Sequence, residues 1–291
     1  MSLTLVAPPL SRDQWLPRAR AHEVRAEALT AARRERAGRG ERHAVDDFMY
    51  EYYPMRPSLL RRWHPGAGVA LVDAPEHAAW RFYRTKDDVT AVDSVAFWDA
   101  KGAVVDFVTG LVAATLTRRA VVGCFGLHEW AMVYRDTETR HELPLRLGAE
   151  GTDAVVDANA LVCTHFDAYR FFTDEAVPRN SAPLDRETQT TFEQPGCLHA
   201  NMDLYKWCAK LAPAIPSELT LDCFKLAVDV RRLDMAASPY DVSQFGLEAV
   251  RIETPDGKRE YAERQRGFAV RSEALRRRLL EACQAIRDAA A

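Results

Sequence analysis

The sequence predicts a mainly α-helical protein, a multi-helical single domain with a small β portion. Two long segments, residues 11–37 and about 255–289, have the caps and composition of helices, and apolar residues recur at helical spacing between them. Two short stretches, "VALVDA" and "WRFYRT", have strand character instead. The 291 residues exceed the ~100–200 of a typical domain but remain within reach of one large domain. We therefore expect a single globular domain over residues 1–291.

The first predicted element is a basic outer helix over residues 11–37. Ser11 is a suitable N-cap, the segment is rich in arginine, and Gly38 and Gly40 follow its end. The two strand-like stretches come after it, and we expect them to form a small ribbon.

The middle of the chain contains one clear core helix. In "SVAFWDAKGAVVDFVTGLVAATLTRR" an apolar stripe runs from Val104 to Leu116 at helical spacing. The segment "CFGLHEWAMVYR" is interpreted as another helix, apolar nearly all round. From Leu143 to Thr164 the composition is typical of strands and turns.

The remainder of the chain is predicted to be mostly helical. One helix is entered at Gly196, and a second follows "AIPSE" and ends near Leu233. After the turn "AASPYDVSQFG", Thr254 is the N-cap and Pro255 the first residue of the long C-terminal helix. Gly257 is expected to weaken the opening turn of that helix.

The charge is unevenly distributed along the chain. The net charge is −3, but residues 1–42 hold nine arginines against five acids, and residues 251–291 hold ten basic against seven acidic residues. The middle therefore carries about −10. Basic ends favour contact with a polyanion such as duplex DNA, whereas the overall balance excludes a chain built mainly to coat nucleic acid. Solvated helix faces explain the same pattern without DNA.

The cysteines and the N-terminus indicate a cytoplasmic protein. The six cysteines are scattered, with no C-x-x-C motif and no zinc-knuckle spacing, so we expect reduced thiols. The N-terminal segment lacks the order of charged and apolar regions that a signal peptide has. No apolar run approaches the ~18 residues of a membrane helix, so no membrane contact is expected.

Three short segments pair a histidine with an acid and carry the candidate chemistry. They are His128-Glu129, His165 with Asp167, and His199 with Asp203. Each lies among apolar or aromatic residues, where an unpaired imidazole is costly, so we expect the three histidines to converge in one pocket. The alternative is that each pair is a locally hydrogen-bonded histidine near a helix end.

A metal site is the most specific interpretation of these segments. Imidazole and carboxylate together suit iron, manganese or zinc. We take His128, His165 and His199 as candidate metal ligands, and Glu129, Asp167 and Asp203 as candidate catalytic carboxylates. The repeated E-x-x-H of ferritin-like bundles and the H-E-x-x-H motif are both absent.

The stretch "PGCLHANMDLYKW" predicts how one wall of the pocket is built. A helix that begins just after Gly196 turns Leu198, Met202 and Tyr205 toward the core. His199 and Asp203, four residues apart, then share a neighbouring stripe and line the pocket. Asn201 is rotated away from that stripe, where it caps the helix start or remains solvated. Asn201 is also a candidate substrate contact.

Further candidate substrate contacts come from aromatic and basic residues. Aromatic rings in "FMYEYYP", "HEWAMVY" and the helix after Gly196 either belong to the core or stack on a planar base. Arginines and a histidine in "MRPSLLRRWHPG" either face solvent or form a phosphate-binding corner. The candidates are Tyr52, Arg61, His64, Trp130, Tyr134, Asn201 and Tyr205.

Several long phrases resemble one family. "YYPMRPSLLRRWHPG", "GCFGLHEWAMVYR", "THFDAYRFFT", "QPGCLHANMDLYKW" and "LDMAASPYD" are similar to an actinobacterial family whose members are commonly labelled 3-methyladenine DNA glycosylase. The resemblance covers roughly residues 43–285.

The resemblance implies hydrolysis of the N-glycosidic bond of alkylated purines in DNA. Such an enzyme flips the base into an aromatic pocket and uses a carboxylate to activate water or to stabilise an oxocarbenium-like sugar. Two alternatives stay open: a helical metal-dependent enzyme acting on a small molecule, and a non-enzymatic ligand-binding protein.

Overall fold

The computed structural model describes residues 8–53, 55–136 and 141–291. Helices make up 57% of it and strands 6%, which confirms the predicted mainly α single domain with a small β portion. Two 3-10 turns, Val177–Arg179 and Ser243–Phe245, accompany the helices. The helices are α1 (Arg12–Gly38), α2 (Phe48–Glu51), α3 (Pro57–Leu60), α4 (Pro75–Ala78), α5 (Ser94–Leu116), α6 (Leu127–Ala131), α7 (Gly148–Asp157), α8 (Phe166–Tyr169), α9 (Gln189–Phe192), α10 (Leu198–Lys210), α11 (Ser217–Ala236) and α12 (Pro255–Ala290).

Four long helices form the centre of the molecule. α10 packs along α11, while α12 packs on α5 and also contacts α10 and α11. The apolar stripe predicted for α5 is buried at Val105, Val108, Leu111 and Val112, because α12 covers it. No helix in the described part of the chain has the length and apolar character needed to cross a membrane.

The basic outer helix is present as α1. Ser11 and Gln14 form a capping box at its start. Only a narrow side of the helix is buried, at Trp15, His22, Ala26 and Thr30, which agrees with its polar composition.

The β portion is a three-stranded antiparallel sheet. Its strands are β1 (Ala70–Val72), β2 (Tyr83–Lys86) and β3 (Val89–Val92), in the order β1-β3-β2. The two predicted strands correspond to β1 and β2, but β3 lies between them. β2 and β3 form a hairpin whose turn residues, Asp87 and Asp88, both have positive φ.

Two predictions for the middle of the chain need correction. The segment from Leu143 to Thr164 contains the helix α7 rather than strands, because Thr152, Val155 and Val156 bury one helical face against the core. The expected helix in "CFGLHEWAMVYR" is limited to the five residues of α6. Gly126 has left-handed backbone angles just before it and redirects the chain.

The long C-terminal helix is confirmed as α12, and its opening turn is tighter than expected. The Thr254 hydroxyl accepts a hydrogen bond from the Gly257 N–H at 3.1 Å. A Cβ at Gly257 would collide with the backbone carbonyl of Arg251. The glycine therefore permits a close backbone approach at the helix start rather than merely weakening it.

Candidate metal centre

Three histidines from separate segments meet beside the start of α10. The ring centroid of His199, on α10, lies 4.6 Å from that of His128, on α6, and 5.4 Å from that of His165, which precedes α8. The predicted convergence is confirmed. His128 and His165 are buried, whereas the side chain of His199 remains 12% exposed.

The first group of ligating side chains consists of His128, Glu129, His199 and Asp234. One potential ligand atom from each lies within 4.8 Å of the others, so the group could hold a metal ion. Nε2 of His128 lies 2.7 Å from Oδ1 of Asp234. Arg231 joins the two carboxylates, because its Nη1 donates to Glu129 and to Asp234 at 3.1 Å each.

The charges of the first group depend on one another. Burial disfavours the charged form of His128, yet the Asp234 carboxylate and the Cys124 thiol raise the pKa of His128 well above its ordinary value. Burial likewise favours the neutral acid at Asp234, yet His128 and Arg231 hold the pKa of Asp234 below its ordinary value. A charged imidazole and an ionised carboxylate therefore face each other inside the protein.

His199 differs from the other histidines because its imidazole has no hydrogen-bond partner among the described residues. Its Nδ1 is buried and unpaired, and its Nε2 approaches Oδ2 of Asp234 only to 4.0 Å. Burial, together with the neighbouring His128 and His165, holds the pKa of His199 well below its ordinary value. His199 is thus a neutral imidazole with free lone-pair capacity, which is the form that binds metals.

A second group lies beside the first and consists of His165, Glu193 and Asp203. Nε2 of His165 lies 3.2 Å from Oδ2 of Asp203 and 3.3 Å from Oε1 of Glu193. The ligand atoms of this group also fall within 4.8 Å of one another and could hold a metal ion. Lys206 donates to Asp203 and, at 2.9 Å, to Asp167.

The second group is already balanced in charge by Lys206. Burial raises the pKa of Asp203, but Lys206 and His165 outweigh it and hold that pKa far below its ordinary value. Burial lowers the pKa of Lys206, but the carboxylates of Asp203 and Asp167 raise it above its ordinary value. Burial raises the pKa of Glu193, which favours its neutral acid. The ammonium therefore already supplies positive charge beside this group.

A cavity of about 300 Å³ opens onto the first group. We name it the aromatic cavity. The rings of Phe48 and Tyr52 are stacked, with centroids 4.9 Å apart, and form one wall. The residues that give it its chemistry are Phe48, Tyr52, Glu129, Asp167, His199 and Arg231. Its volume is at the small end of the roughly 300–1,000 Å³ typical of ligand pockets.

Only two of the three predicted catalytic carboxylates line the aromatic cavity. Glu129 and Asp167 line it, but Asp203 does not. Asp203 lies on the same helix stripe as His199, as the spacing predicted, yet it is turned toward His165 and Lys206 and accepts a hydrogen bond from Tyr53 at 3.2 Å. The expectation that Asp203 lines the pocket is wrong, because neighbouring elements cover that part of α10 with hydrogen-bond donors.

The second ring nitrogen of His128, Nδ1, contacts a cysteine. Sγ of Cys124 lies 3.3 Å from Nδ1 of His128, so that Cys124, His128 and Asp234 form a thiol–imidazole–carboxylate chain. The void beside it, which Cys163 and Cys197 also line, has a volume of about 10 Å³. That is room for about one water and not for a substrate.

The aromatic candidates are mostly packed in the core. Trp130 is fully buried and its Nε1 donates to the Ala237 carbonyl at 2.8 Å. Tyr205 is also fully buried, and Tyr134 is buried with its hydroxyl on Asp157 at 2.6 Å. Of the four predicted stacking residues, only Tyr52 borders the aromatic cavity.

The expectation for Asn201 is wrong. It is fully buried, and its Oδ1 accepts a hydrogen bond from Nη2 of Arg276 at 2.6 Å. The physical reason is that α12 covers the face of α10 that the sequence pattern assigns to solvent. Asn201 therefore contributes to helix packing and does not contact the aromatic cavity.

The basic candidates lie away from the histidines. Nη2 of Arg61 pairs with Glu23 at 2.5 Å and with Glu27 at 3.0 Å, so its charge is balanced by α1. His64 contacts the rings of Trp80 and Tyr83. It lines a different cavity, which shares no lining residue with the aromatic cavity.

The sequence analysis missed two members of the groups, Glu193 and Asp234, and three residues in contact with them, Cys124, Lys206 and Arg231. Arg231 and Asp234 had a detectable signal. They lie three apart on α11, at positions that share the buried face with Ala227 and Val230. Charged residues on an otherwise apolar face must be paired, so they mark a polar site. Cys124 and Glu193 lie in irregular segments and have no comparable signal.

Comparison with known proteins finds no matching family model, no similar curated protein and no similar solved structure.

Proposed function

We propose that the protein is a metal-dependent enzyme that acts on a small molecule, with the first group as its metal centre. The observation that carries the proposal is the imidazole of His199. It is neutral, largely buried and without a hydrogen-bond partner in the described part of the chain. A buried polar group without a partner is costly and requires an explanation such as a bound ion.

The donor set fits a metal ion. Two imidazoles and two carboxylates suit iron, manganese or zinc, and their spacing within 4.8 Å is compatible with a shared ion. Arg231 and the protonated His128 together balance the two carboxylate charges of the metal-free site. Metal binding would then release the proton that His128 holds.

The open side of the site supports a catalytic rather than a structural role. Glu129 and His199 belong both to the first group and to the wall of the aromatic cavity, so a ligand in the cavity reaches the metal position directly. A divalent metal would act there as a Lewis acid toward a substrate oxygen. Phe48 and Tyr52 would hold a planar or apolar part of the substrate, and Arg231 would orient an anionic part.

Metal analysis tests this proposal. Protein purified without a histidine tag is expected to contain about one equivalent of iron, manganese or zinc. His199→Gln keeps the side-chain volume but is expected to lose most of the metal. His43→Gln, which changes a histidine outside both groups, is the matched control and should retain it.

Two results together would contradict the proposal. One is wild-type protein that carries no metal. The other is the absence of any rise in melting temperature when each of the three metals is added, since a ligand at 100 times its Kd stabilises a fold by about 2.7 kcal/mol.

N-glycosidic hydrolysis of an alkylated purine base is the second candidate, favoured by one specific observation. The aromatic cavity combines the stacked pair of Phe48 and Tyr52 with three carboxylates, Glu51, Glu129 and Asp167. Burial raises the pKa of Asp167, but Lys206 outweighs it and holds that pKa below its ordinary value. An ionised carboxylate beside a stacked base is suited to stabilise an oxocarbenium-like sugar or to orient water.

Base release from methylated duplex DNA tests the second candidate. We expect wild-type protein to release free 3-methyladenine in the presence of a metal chelator, and Asp167→Asn to lose at least about a hundredfold in rate. Asp174→Asn, which changes an acid outside the aromatic cavity, is the control. No base release by wild-type protein at micromolar concentration would exclude this activity.

A further inference from the structure

A second cavity, of about 430 Å³, lies at the opposite end of α10 from the histidines. We name it the cationic cavity. Lys210, the last residue of α10, lines it, whereas His199 lies near the start of the same helix. A separation of eleven residues corresponds to about 16 Å along a helix axis. The cationic cavity is therefore separate from the aromatic cavity, and its role does not depend on the metal proposal.

The charged residues that line the cationic cavity are all basic. Arg62, Arg81, Lys101 and Lys210 contribute to it, and no carboxylate is among its lining residues in the described part of the chain. None of these four cations makes an ion pair with another described residue, although most of the other described arginines do. Four cations without a counter-ion around one concave surface attract an anion.

The amino-terminal end of α11 adds to this field. Ser217 and Thr220, in the first turn of this 20-residue helix, line the same cavity. The start of a helix carries a partial positive charge, which favours an anionic group nearby. The cations and the helix end thus act in the same direction.

The rest of the wall is aromatic and apolar. Trp80, Phe82, Met55 and Ile215 line the cavity, and the guanidinium of Arg62 lies 5.2 Å from the ring centroid of Trp80. Such a wall buries a planar or apolar body, so inorganic phosphate alone would leave most of the volume unused.

His22 supplies a hydrogen-bond acceptor. Its Nε2 lies 2.8 Å from the carbonyl oxygen of Leu60, which can only accept, so Nε2 carries the proton. Its Nδ1 is then an acceptor, and it is buried without a partner among the described residues. His22 is only 4% exposed and lines the cavity, and an acceptor without a partner at this position favours a ligand that can donate a hydrogen bond, such as a sugar hydroxyl or an exocyclic amine.

We propose that the cationic cavity binds a nucleoside phosphate: the unpaired cations and the start of α11 hold the phosphate, the Trp80 wall holds the base, and His22 accepts a hydrogen bond from the sugar or base. This ligand combines the three features that the lining requires, which are an anion, a planar body and a hydrogen-bond donor.

Calorimetric titration of the full-length chain tests the proposal. The probes are the four common nucleoside 5′-monophosphates, the corresponding nucleosides, and inorganic phosphate. At least one monophosphate is expected to bind with a Kd below ~1 mM. It should bind at least about tenfold more tightly than its nucleoside or inorganic phosphate, because only the nucleotide uses both parts of the wall.

Charge-removing variants locate the site. The double variant Arg62→Gln/Lys210→Gln is expected to weaken binding by about tenfold for each cation removed. Both side chains are exposed, so the fold should survive, which a thermal melt verifies. Lys225→Gln, an exposed lysine of α11 outside the cavity, is the matched control and should bind like wild type.

Each of the following results would overturn the proposal. No monophosphate binds below ~1 mM, or inorganic phosphate binds as tightly as every nucleotide. The double variant binds the nucleotide as the Lys225→Gln control does. A single-stranded oligonucleotide binds in a manner that depends on Arg62 and Lys210 while mononucleotides do not, which would make the cavity part of a nucleic-acid surface.

Discussion

At the scale of single residues, one buried cation lies beside each of the two groups and joins two carboxylates. Arg231 bonds to Glu129 and Asp234, and Lys206 bonds to Asp167 and Asp203. Buried carboxylates close to one another repel and are stable only with such a partner. The cations therefore hold the two groups together, and a metal in the first group would share that role with Arg231.

Replacing Arg231 tests this role. Arg231→Met keeps much of the volume but leaves two buried carboxylates without their common donor, so we expect a loss of about 3–5 kcal/mol in the free energy of unfolding at neutral pH. Arg232→Met is the matched control, since the neighbouring Arg232 is exposed and pairs only weakly with Asp46, at 3.5 Å. It should cost less than about 1 kcal/mol.

The same two variants also test whether a bound metal ion can replace the charge of Arg231. Added zinc or manganese is expected to stabilise Arg231→Met more than wild type, because the ion then supplies the only balancing charge. Urea unfolding with and without metal measures both quantities. Equal stability of the two variants in the absence of metal would mean that Arg231 does not balance the carboxylates.

Asp203 is expected to be structural. Asp203→Asn removes the charge that Lys206 and His165 contact, so we expect a loss of about 2–3 kcal/mol in the free energy of unfolding and unchanged metal content. Because the folded pKa of Asp203 is depressed, the difference from wild type is complete above pH ~4 and shrinks as the pH falls toward the folded pKa.

Urea unfolding at several pH values and metal analysis measure both effects. The control is Asp229→Asn, whose carboxylate pairs with Arg271 at the surface and should matter little. A stable Asp203→Asn protein that has lost its metal would instead assign the metal to the second group.

At the scale of secondary-structure elements, α10 and α11 supply His199, Asp203 and Asp234 of the two groups. Both helices are long enough for their apolar periodicity to predict them from the sequence. The short helices were not predictable in the same way. A helix of five residues, such as α6, has little more than one turn, so its apolar spacing cannot be told from that of a buried loop. In α7 the glycines and the alternating polar residues concealed the buried face formed by Thr152, Val155 and Val156.

Two glycines of α12 give a matched test at this scale. A Cβ at Gly257 would meet the Arg251 carbonyl, so Gly257→Ala must move the backbone, and we expect a loss of about 1–3 kcal/mol. At Gly267, in the same helix, a Cβ would meet nothing within 4 Å. Gly267→Ala should therefore stabilise the protein by about 0.5–1 kcal/mol.

Thermal melts of the two glycine variants measure this difference. A higher melting temperature for Gly257→Ala than for wild type would show that the start of α12 has room for a side chain. In that case Thr254 and Pro255 alone, and not the close approach to Arg251, would define the opening turn.

At the scale of the whole molecule, the basic ends balance the acidic middle. Arg18 and Arg25 of α1 pair with Glu218 and Asp222 of α11. In α12, Arg271, Arg278 and Arg287 pair with Asp229, Asp222 and Asp106. Much of the charge asymmetry in the sequence is thus used between helices of the same fold.

This internal pairing leads to an expectation for DNA binding. Each phosphate contact adds about −0.9 to the slope of log affinity against log salt concentration. Because many of the terminal arginines already have partners, we expect a slope no steeper than about −3 for duplex DNA. A titration at several salt concentrations measures it. A steeper slope would show that the ends exchange their internal partners for phosphates.

The sequence by itself determined the mainly α class, the extents of α1 and α12, the apolar face of α5, and the meeting of His128, His165 and His199. These features depend on periodicity, on caps, and on the cost of burying an unpaired imidazole, and all of these are local properties of the chain.

Only the tertiary structure decided which partner each buried charge has. His128 finds Asp234, 106 positions away, and Arg276 of α12 takes Asn201, 75 positions away. It also decided that Asp203 turns to Lys206, while His199, at the aromatic cavity, has no hydrogen-bond partner among the described residues. The physical reason is that a buried polar group needs a partner within about 3 Å, and the packing of distant helices determines which groups come that close.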